Sequence, residues 1–263
     1  MSIVLAATWD PRGELARLER LMPLLRELYV ALVVAVPDRA DETTTARLTV
    51  LGVEAVLRAS PWPKGRFLAL ETAVTFEASH VHYADLDRLI RWAETRPDEL
   101  RATLVTLESV DALMIGRTPQ ALATHPAALL QTERSINTVF SHLLGQPLDL
   151  PAGSKGFSRR AARYLLARTV PEHGLGTDAT WPVLLARGGF TLTTIEVDGL
   201  DWETADRYLD AAADTRLQAE AATIYDAAPD HWSYRVDLAH DIILAGLHAW
   251  AQPLDLELEE NIL

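Results

Sequence analysis

The segment VHYADLDR (residues 81–88) joins a predicted strand to a predicted helix. The β-branched and aromatic residues of 79–84 are typical of a short buried strand. Asp85 and Asp87 follow this strand directly, so we expect them at the carboxyl edge of a sheet, where open α/β sheets bind ligands. An Asp-x-Asp pair at that edge suits a hard divalent cation that bridges phosphate oxygens. The alternative is that both carboxylates only cap the following helix.

Composition and charge exclude several classes of protein. The chain has 263 residues and a hydrophobic content of 49%, which is enough for a substantial core. No apolar run reaches the roughly 18 residues that a membrane span requires. The net charge of −13 argues against nucleic acid as a partner. Cysteine is absent, which excludes disulfides and thiolate metal sites and is consistent with the cytoplasmic location that we expect.

Strands alternate with helices along the first part of the chain, which predicts a mostly parallel sheet with helices on both faces. The predicted strands of this part are residues 3–7, 29–36, 53–57 and 81–84. Two further strands are predicted, at 111–116 and at 190–197. The intervening segment 150–158 contains two glycines and is predicted to be a turn.

A proline-stiffened loop carries the cations Lys64 and Arg66 on either side of Gly65, just before a predicted helix. The amides of a helix N-terminus beside two cations would attract an anion such as a diphosphate. The alternative is an ordinary solvated basic loop. Neither G-x-x-x-x-G-K-[ST] nor G-x-G-x-x-G occurs in the sequence, so the ATPase and dehydrogenase interpretations lack their phosphate loops.

Two glycine-rich segments later in the chain precede predicted helices. The first is GSKGFS (153–158), in which Ser158 is a candidate N-cap residue. The second is GLGTD (174–178), in which Thr177 or Asp178 would cap the next helix.

The order of these motifs resembles a GT-A-fold glycosyltransferase, and within that fold the family 2 or dolichol-phosphate-mannosyltransferase type. The resemblance covers about residues 3–200 and depends on three features. They are the Asp-x-Asp after a strand, the Gly-Arg that opens the preceding helix, and the Gly-Phe-Ser of residues 156–158. It implies a metal-dependent enzyme that moves a sugar from a UDP- or GDP-sugar to a small or lipid-linked hydroxyl acceptor.

The resemblance also implies roles for individual residues. Asp38 would contact the nucleobase or ribose, and Lys64 and Arg66 would lie near the base or diphosphate. Asp85 would lie near the ribose and the metal, and Asp87 would bind the Mn2+ or Mg2+ ion.

On the acceptor side the resemblance implies a role for Gly153, Ser154 and Lys155. Asp178 would be the base that deprotonates the acceptor, with helix capping as the equally weighted alternative.

Two departures from the family pattern leave other classes open. The first strand ends in Thr8-Trp9-Asp10-Pro11, where the family commonly has an asparagine and an acidic residue, and Asp178 lacks an adjacent second acid. A non-catalytic GT-A-like binding protein is kept as an alternative because of the second departure. A sugar-phosphate nucleotidyltransferase is the other alternative, because it shares this sheet topology and metal use, although no glycine-rich loop with basic residues follows the first strand.

The chain changes character after about residue 200, where it becomes alanine-rich, acidic and helical. We therefore predict a catalytic domain over 1–200 and a helical C-terminal appendage over 201–263, with helices at 201–222 and 230–250. The appendage would cover the acceptor side or form a homodimer. One of its three histidines, His231, His240 or His248, is a candidate third metal ligand, although helical spacing favours ordinary helix-face positions for the last two.

Overall fold

The computed structural model describes residues 2–171 and 174–253. Seven strands form one sheet within these ranges. They are β1 (Ile3–Thr8), β2 (Ala31–Pro37), β3 (Ala55–Ala59), β4 (His80–Asp85), β5 (Ala112–Arg117), β6 (Ser154–Ser158) and β7 (Leu192–Val197). Their order across the sheet is β3-β2-β1-β4-β6-β5-β7. All neighbouring strands are parallel except β6, which is antiparallel to both β4 and β5.

Helices cover both faces of the sheet and enclose two apolar cores. In chain order they are α1 (Leu15–Leu28), α2 (Glu42–Val50), α3 (Gly65–Ala73), α4 (Leu86–Thr95), α5 (Pro97–Leu107), α6 (Pro119–Leu122), α7 (Ala127–Leu144), α8 (Arg159–Arg168), α9 (Thr177–Arg187), α10 (Thr215–Asp226) and α11 (Pro229–Ala251). Helices α1, α2, α4 and α5 pack on one face. Helices α3, α7, α8, α9 and α11 pack on the other. The predicted α/β architecture is confirmed.

The four predicted parallel strands are present in the sheet, with bounds that shift by up to two residues. Strand β2 begins at Ala31 because Tyr29 still ends α1 and donates its backbone N–H to Leu25. Strand β3 runs on to Ala59, where it pairs with Pro37 of β2. All seven residues of β2 are buried, as a central parallel strand requires.

The segment predicted as a glycine-rich turn contains the antiparallel strand β6, so that prediction is wrong. Gly156 allows the close approach of a helix instead of forming a turn. A Cβ added at Gly156 would lie 2.3 Å from a methyl carbon of Leu107, so the glycine allows α5 to pack directly on the strand. A left-handed Gly153, with φ +75°, turns the chain into β6.

The helix predicted over 201–222 is also wrong in its first half. Residues 201–214 contain only a 3-10 turn, Glu203–Asp206, and α10 begins at Thr215 after the N-cap residue Asp214. Buried ion pairs of Asp201 and Asp206 with Arg91 hold this segment in a non-helical conformation. The helix predicted over 230–250 is confirmed as α11. The acidic tail from residue 254 lies outside the described residues.

Helix α11 belongs to the same apolar core as the sheet. Its residues Ala239, Ile242 and Ala249 are buried together with side chains of α7 and α9. A Cβ at Gly246 would lie 2.2 Å from Phe140 of α7, which shows how closely the two helices approach. The boundary between residues 200 and 201 stays a prediction. In the part of the chain that the structure describes, no helix is both long and apolar enough to cross a bilayer.

Candidate functional site

Asp85 and Asp87 lie at the carboxyl edge of the sheet, at the junction of β4 and α4. Asp85 occupies the N-cap position of α4, but its side chain makes no capping hydrogen bond. Instead, Asp85 Oδ1 accepts hydrogen bonds from the Thr8 hydroxyl at 3.0 Å and from the Tyr83 hydroxyl at 2.7 Å. The capping alternative therefore does not account for this side chain.

The carboxyl group of Asp87 has a strongly raised pKa. Burial, together with the negative charges of Glu203 and Asp85, raises its pKa to about 8 against the opposing effect of Arg88. Its Oδ1 accepts only the backbone N–H of Arg88, at 2.9 Å, among the hydrogen bonds found within the described residues. A cation beside these carboxylates would relieve their mutual repulsion.

Arg66 links Asp85 to the predicted base, Asp178. Its Nη1 lies 2.9 Å from Asp178 Oδ1, and its Nη2 lies 3.4 Å from Asp85 Oδ2. The guanidinium also stands over the Tyr83 ring, 5.5 Å from its centroid. Arg66 is placed by the first turn of α3, as the Gly-Arg motif predicts for a residue near an anion.

Asp178 is held by two cations. Its Oδ1 accepts from Lys155 Nζ at 2.8 Å as well as from Arg66. Burial raises the pKa of this carboxyl, but Arg66 and Lys155 outweigh burial and lower the pKa below its ordinary value. Asp178 does not cap α9, because the N-cap residue is Gly176 and no side-chain capping bond forms there. The geometry favours an ion-pair role for Asp178 over the role of a proton acceptor.

The three residues predicted for the acceptor side lie behind the two carboxylates. A Cβ at Gly153 would lie 2.6 Å from Asp85 Oδ2, so the missing side chain makes room for that carboxylate. Ser154 is buried and its hydroxyl lies 2.8 Å from His82 Nε2. Lys155 is buried as well and also donates to the Leu150 carbonyl at 2.9 Å. Their placement indicates that these three residues position the side chains of the site and do not line its open surface.

Two adjoining cavities open in front of Asp85 and Asp87. The outer cavity, of ≈ 210 Å³, is lined by Thr8, Asp10, Trp62, Pro63, Arg66, Asp85, Asp87, Arg88, Leu175, Glu203 and Tyr234. The inner cavity, of ≈ 190 Å³, shares seven of these residues and adds Arg207 and side chains of α7 and α11, among them Glu133, Arg235, Leu238 and Ile242. The shared wall, which contains Arg66, Asp85 and Asp87, makes the two one continuous cleft.

Asp38 and Lys64 line neither of these cavities. Asp38 is exposed at the end of β2, where its backbone carbonyl accepts from Arg58 at 2.8 Å. The three C-terminal histidines also lie away from the cleft walls, and the imidazole of His231 stacks on Tyr225. Of the five residues expected to share a cleft, the structure brings together Arg66, Asp85 and Asp87.

Sequence reasoning missed Glu203, which lines the same cleft as Asp87 although it lies more than 100 residues later in the chain. Glu203 Oε2 lies 3.5 Å from Arg88 Nε and has no hydrogen-bond partner within the described residues. Its segment was predicted to be a helix, in which a lone glutamate carries no special signal. Only the folded chain brings this residue to the carboxyl edge of β4.

Buried ion pairs anchor the segment that carries Glu203. Arg91 of α4 makes a two-bond pair with Asp201, at 2.6 and 2.7 Å, and also contacts Asp206 at 2.7 Å. Arg17 of α1 reaches the other oxygen of Asp206 at 2.9 Å. These pairs hold residues 201–206 against α4 and explain why the segment does not continue as a helix.

The donor set fits a hard divalent cation, although it does not form a complete cage. No group of three or more His, Cys, Asp or Glu side chains within residues 2–171 and 174–253 is arranged to hold a metal ion. However, Asp85 and Asp87 supply carboxyl oxygens in one cleft, where burial and the charges of Glu203 and Asp85 raise the pKa of Asp87. Mg2+ is typically bound by one or two carboxylates together with substrate phosphates and water. The residues present match that mode.

A larger groove of ≈ 820 Å³ lies elsewhere, along α7. It shares only Glu133 with the inner cavity and contains neither Asp85 nor Asp87. The perturbed pKa and the converging charges lie in the smaller cleft, which is therefore the better candidate site.

Comparison with known proteins identifies the fold. No protein-family model and no curated protein matches the sequence. Among solved structures, glucosyl-3-phosphoglycerate synthase from Mycobacterium tuberculosis is similar in its complex with phosphoglyceric acid. The TM-score is 0.53 and the identity 12%, over 97% of this chain and 82% of that chain.

A second structure of the same synthase contains Mn2+, UDP-glucose and phosphoglyceric acid. It matches with a TM-score of 0.52 and 12% identity, over 97% of this chain and 81% of that chain. The likeness shows that the chain has the GT-A-like nucleotide-sugar transferase fold, as predicted. The narrower resemblance to dolichol-phosphate mannosyltransferases is not confirmed by it.

Proposed function

We propose that this chain is a metal-dependent glycosyltransferase that moves a sugar from a nucleoside-diphosphate sugar to a hydroxyl acceptor. The observation that carries the proposal is the cleft itself, in which Asp85, Asp87 and Arg66 converge at the carboxyl edge of β4. Two carboxylates and a guanidinium suit a diphosphate with its divalent cation. The Mn2+ and UDP-glucose in the structurally similar synthase support the same ligand class.

Asp85 and Asp87 would hold the Mn2+ or Mg2+ ion. When bound, the ion supplies Lewis-acid stabilisation of the charge that develops on the departing nucleoside diphosphate. Thr8 and Tyr83 fix the Asp85 carboxylate through their hydroxyls, so its orientation is set before any ligand arrives. Arg66 adds a permanent positive charge on the same wall of the cleft.

In this proposal the role of Asp178 is to position the guanidinium of Arg66. Because one carboxylate oxygen receives both Arg66 and Lys155, Asp178 keeps the guanidinium directed toward the cleft. A carboxylate whose pKa is lowered by two cations is a weak proton acceptor. The base for the acceptor hydroxyl is therefore left unassigned in this proposal.

The acceptor side of the proposed reaction is the inner cavity. It lies beyond the shared Asp85 and Asp87 wall and is closed by side chains of α11. A volume of ≈ 190 Å³ suits a small hydroxyl compound better than a lipid-linked acceptor. The phosphoglyceric acid bound by the similar synthase is an acceptor-sized small molecule of this kind.

A thermal-shift screen with UDP, GDP, UTP and GTP, each with Mn2+ or with EDTA, tests the proposal. We expect stabilisation by a nucleoside diphosphate that requires Mn2+. A preference for a triphosphate would favour a sugar-phosphate nucleotidyltransferase. The absence of any metal-dependent shift would contradict the proposed function and favour a non-catalytic binding protein.

A further inference from the structure

Trp62 lines the outer cavity. It belongs to the 3-10 turn Trp62–Lys64 between β3 and α3, and its indole is partly exposed. The ring packs over the first residue of α3, since a Cβ at Gly65 would lie 3.1 Å from the indole carbon Cζ3. The indole is therefore in contact with the start of α3, and it belongs to the wall of the outer cavity but not of the inner one.

Asp10 lines the same cavity from the end of β1. Its side chain is 23% exposed, and both of its arginine partners bind the same oxygen. Arg12 lies 3.1 Å and Arg39 2.6 Å from Asp10 Oδ2. Oδ1 accepts no hydrogen bond from the described residues. The outer cavity is thus lined by an indole and by a carboxylate that has one unused oxygen.

The outer cavity has two chemically different groups of lining residues. Asp85, Asp87 and Arg66 supply the charges that suit a diphosphate and its cation. Trp62 and Asp10 supply a stacking surface and a hydrogen-bond acceptor, which suit a flat heterocycle with N–H donors. A nucleoside diphosphate has the same two parts, and its base is the part that stacks on an indole.

We propose that Trp62 is the stacking platform for the nucleobase and that Asp10 Oδ1 accepts an N–H of that base. This inference rests on the proposed function, because it requires a nucleoside diphosphate in the outer cavity. It gives Trp62 and Asp10 the role that the sequence had suggested for Asp38, which lines neither cavity. The choice between uracil and guanine then depends on Trp62 and Asp10.

The test compares ligands with and without a base. Calorimetric titration in Mn2+ is carried out with UDP, GDP, UDP-glucose and inorganic pyrophosphate on wild type, Trp62→Ala, Trp62→Phe and Trp250→Ala. Trp250 is an exposed tryptophan of α11 outside the cleft and serves as the matched control. We expect Trp62→Ala to weaken the preferred nucleoside diphosphate roughly tenfold or more and to leave pyrophosphate unchanged. Trp62→Phe should retain most of the affinity, and Trp250→Ala all of it.

Three outcomes would overturn the inference while leaving the proposed function intact. They are wild-type nucleotide affinity in Trp62→Ala, an equal loss for pyrophosphate, and a loss for UDP-glucose without one for UDP, which would place the sugar on the indole. If wild type binds neither nucleotides nor pyrophosphate in Mn2+, the proposed function fails and the inference fails with it. Quenching of tryptophan emission by UDP, lost in Trp62→Phe, is a second expected result, and quenching that persists in this variant would contradict the inference.

Discussion

Burial, and after it the negative charges of Glu203 and Asp85, disfavours the ionised form of Asp87. Its pKa of about 8 in the folded protein lies far above the ordinary value of 3.8. Between about pH 4 and pH 8 the folded state therefore binds more protons at this site than the unfolded state does. Stability consequently falls as the pH rises through this window, and the penalty is complete above the folded-state pKa.

Asp87→Asn removes this penalty in the metal-free protein. In EDTA at about pH 8.5 we expect the variant to be more stable than wild type by about 1 kcal/mol or more. The difference should vanish near pH 4, where Asp87 is protonated in the folded protein. Urea unfolding at both pH values measures it, with Asp241→Asn, a 77% exposed position, as a neutral control. Equal or lower stability of Asp87→Asn at pH 8.5 would contradict the electrostatic account.

Asp178 differs from Asp87 in that its pKa is lowered, because it forms ion pairs with the buried cations Arg66 and Lys155. Asp178→Asn leaves Arg66 and Lys155 without their shared partner, and breaking a buried pair typically costs about 3–5 kcal/mol. We expect a loss of this order in urea unfolding at neutral pH. Glu220→Gln, which breaks an exposed pair with Arg216 on α10, should change stability by less than about 0.5 kcal/mol. Equal effects of the two substitutions would show that the pair at Asp178 is not structural.

The sequence predicted where a candidate residue lies in the fold best when the neighbouring residues in the chain determine its position. The Asp85-Leu86-Asp87 motif follows a strand and precedes a helix, so both signals are local. Glu203 gave no such signal, because its approach to Asp87 depends on how the last strand returns to the sheet. Asp38 was assigned from its place after β2, but strand ends alone do not tell which side chains line a cleft.

At the scale of elements, glycine and buried charge explain the two wrong predictions. Strand β6 contains Gly156, which resembles a turn residue in sequence but admits the side chain of Leu107 in the structure. The segment 201–214 has a helical composition, yet Asp201 and Asp206 are drawn to Arg91. Such long-range partners override local propensity, and the sequence alone does not reveal them.

Arg91→Met tests whether these ion pairs position the Glu203 segment. The variant leaves Asp201 and Asp206 with fewer cationic partners, so we expect faster amide exchange over residues 199–213 and a loss of several kcal/mol. Arg101→Met, which removes an exposed pair with Glu27, is the control and should change neither quantity. Unchanged exchange in the segment of Arg91→Met would show that other contacts hold Glu203 in place.

At the scale of the whole molecule, the C-terminal helices contribute to the core as well as to the cleft. Helix α11 supplies Ile242 both to the apolar core and to the wall of the inner cavity. The alternation of strands and helices predicted the sheet because each pattern repeats locally. For the part of the chain after the sheet, the sequence shows only a change of composition near residue 200. This change does not indicate where α11 packs. Dimerisation, expected from this region, also stays a prediction.

Gly246→Leu tests whether α11 is integral to the fold. A side chain at this position would meet Phe140 and Ala179, whose carbons lie 2.2 and 2.7 Å from an ideal Cβ. Overpacking of this kind typically costs about 1–3 kcal/mol, so we expect a melting temperature lower by several degrees. Ala251→Leu, at an exposed position of the same helix, is the matched control. Equal melting temperatures for Gly246→Leu and wild type would show that α11 is a loosely attached appendage.

The central claim is that Asp85 and Asp87 bind a divalent cation together with a nucleoside diphosphate. Calorimetric titration of UDP and GDP into wild type and Asp87→Asn, in Mn2+ and in EDTA, tests it most directly. We predict that wild type binds one nucleotide only with Mn2+ and that Asp87→Asn loses this binding while remaining folded, because an amide lacks the charge that a hard cation requires. Asp85→Asn should weaken the binding, and Asp241→Asn should leave it unchanged. Wild-type, Mn2+-dependent affinity in Asp87→Asn would contradict the claim.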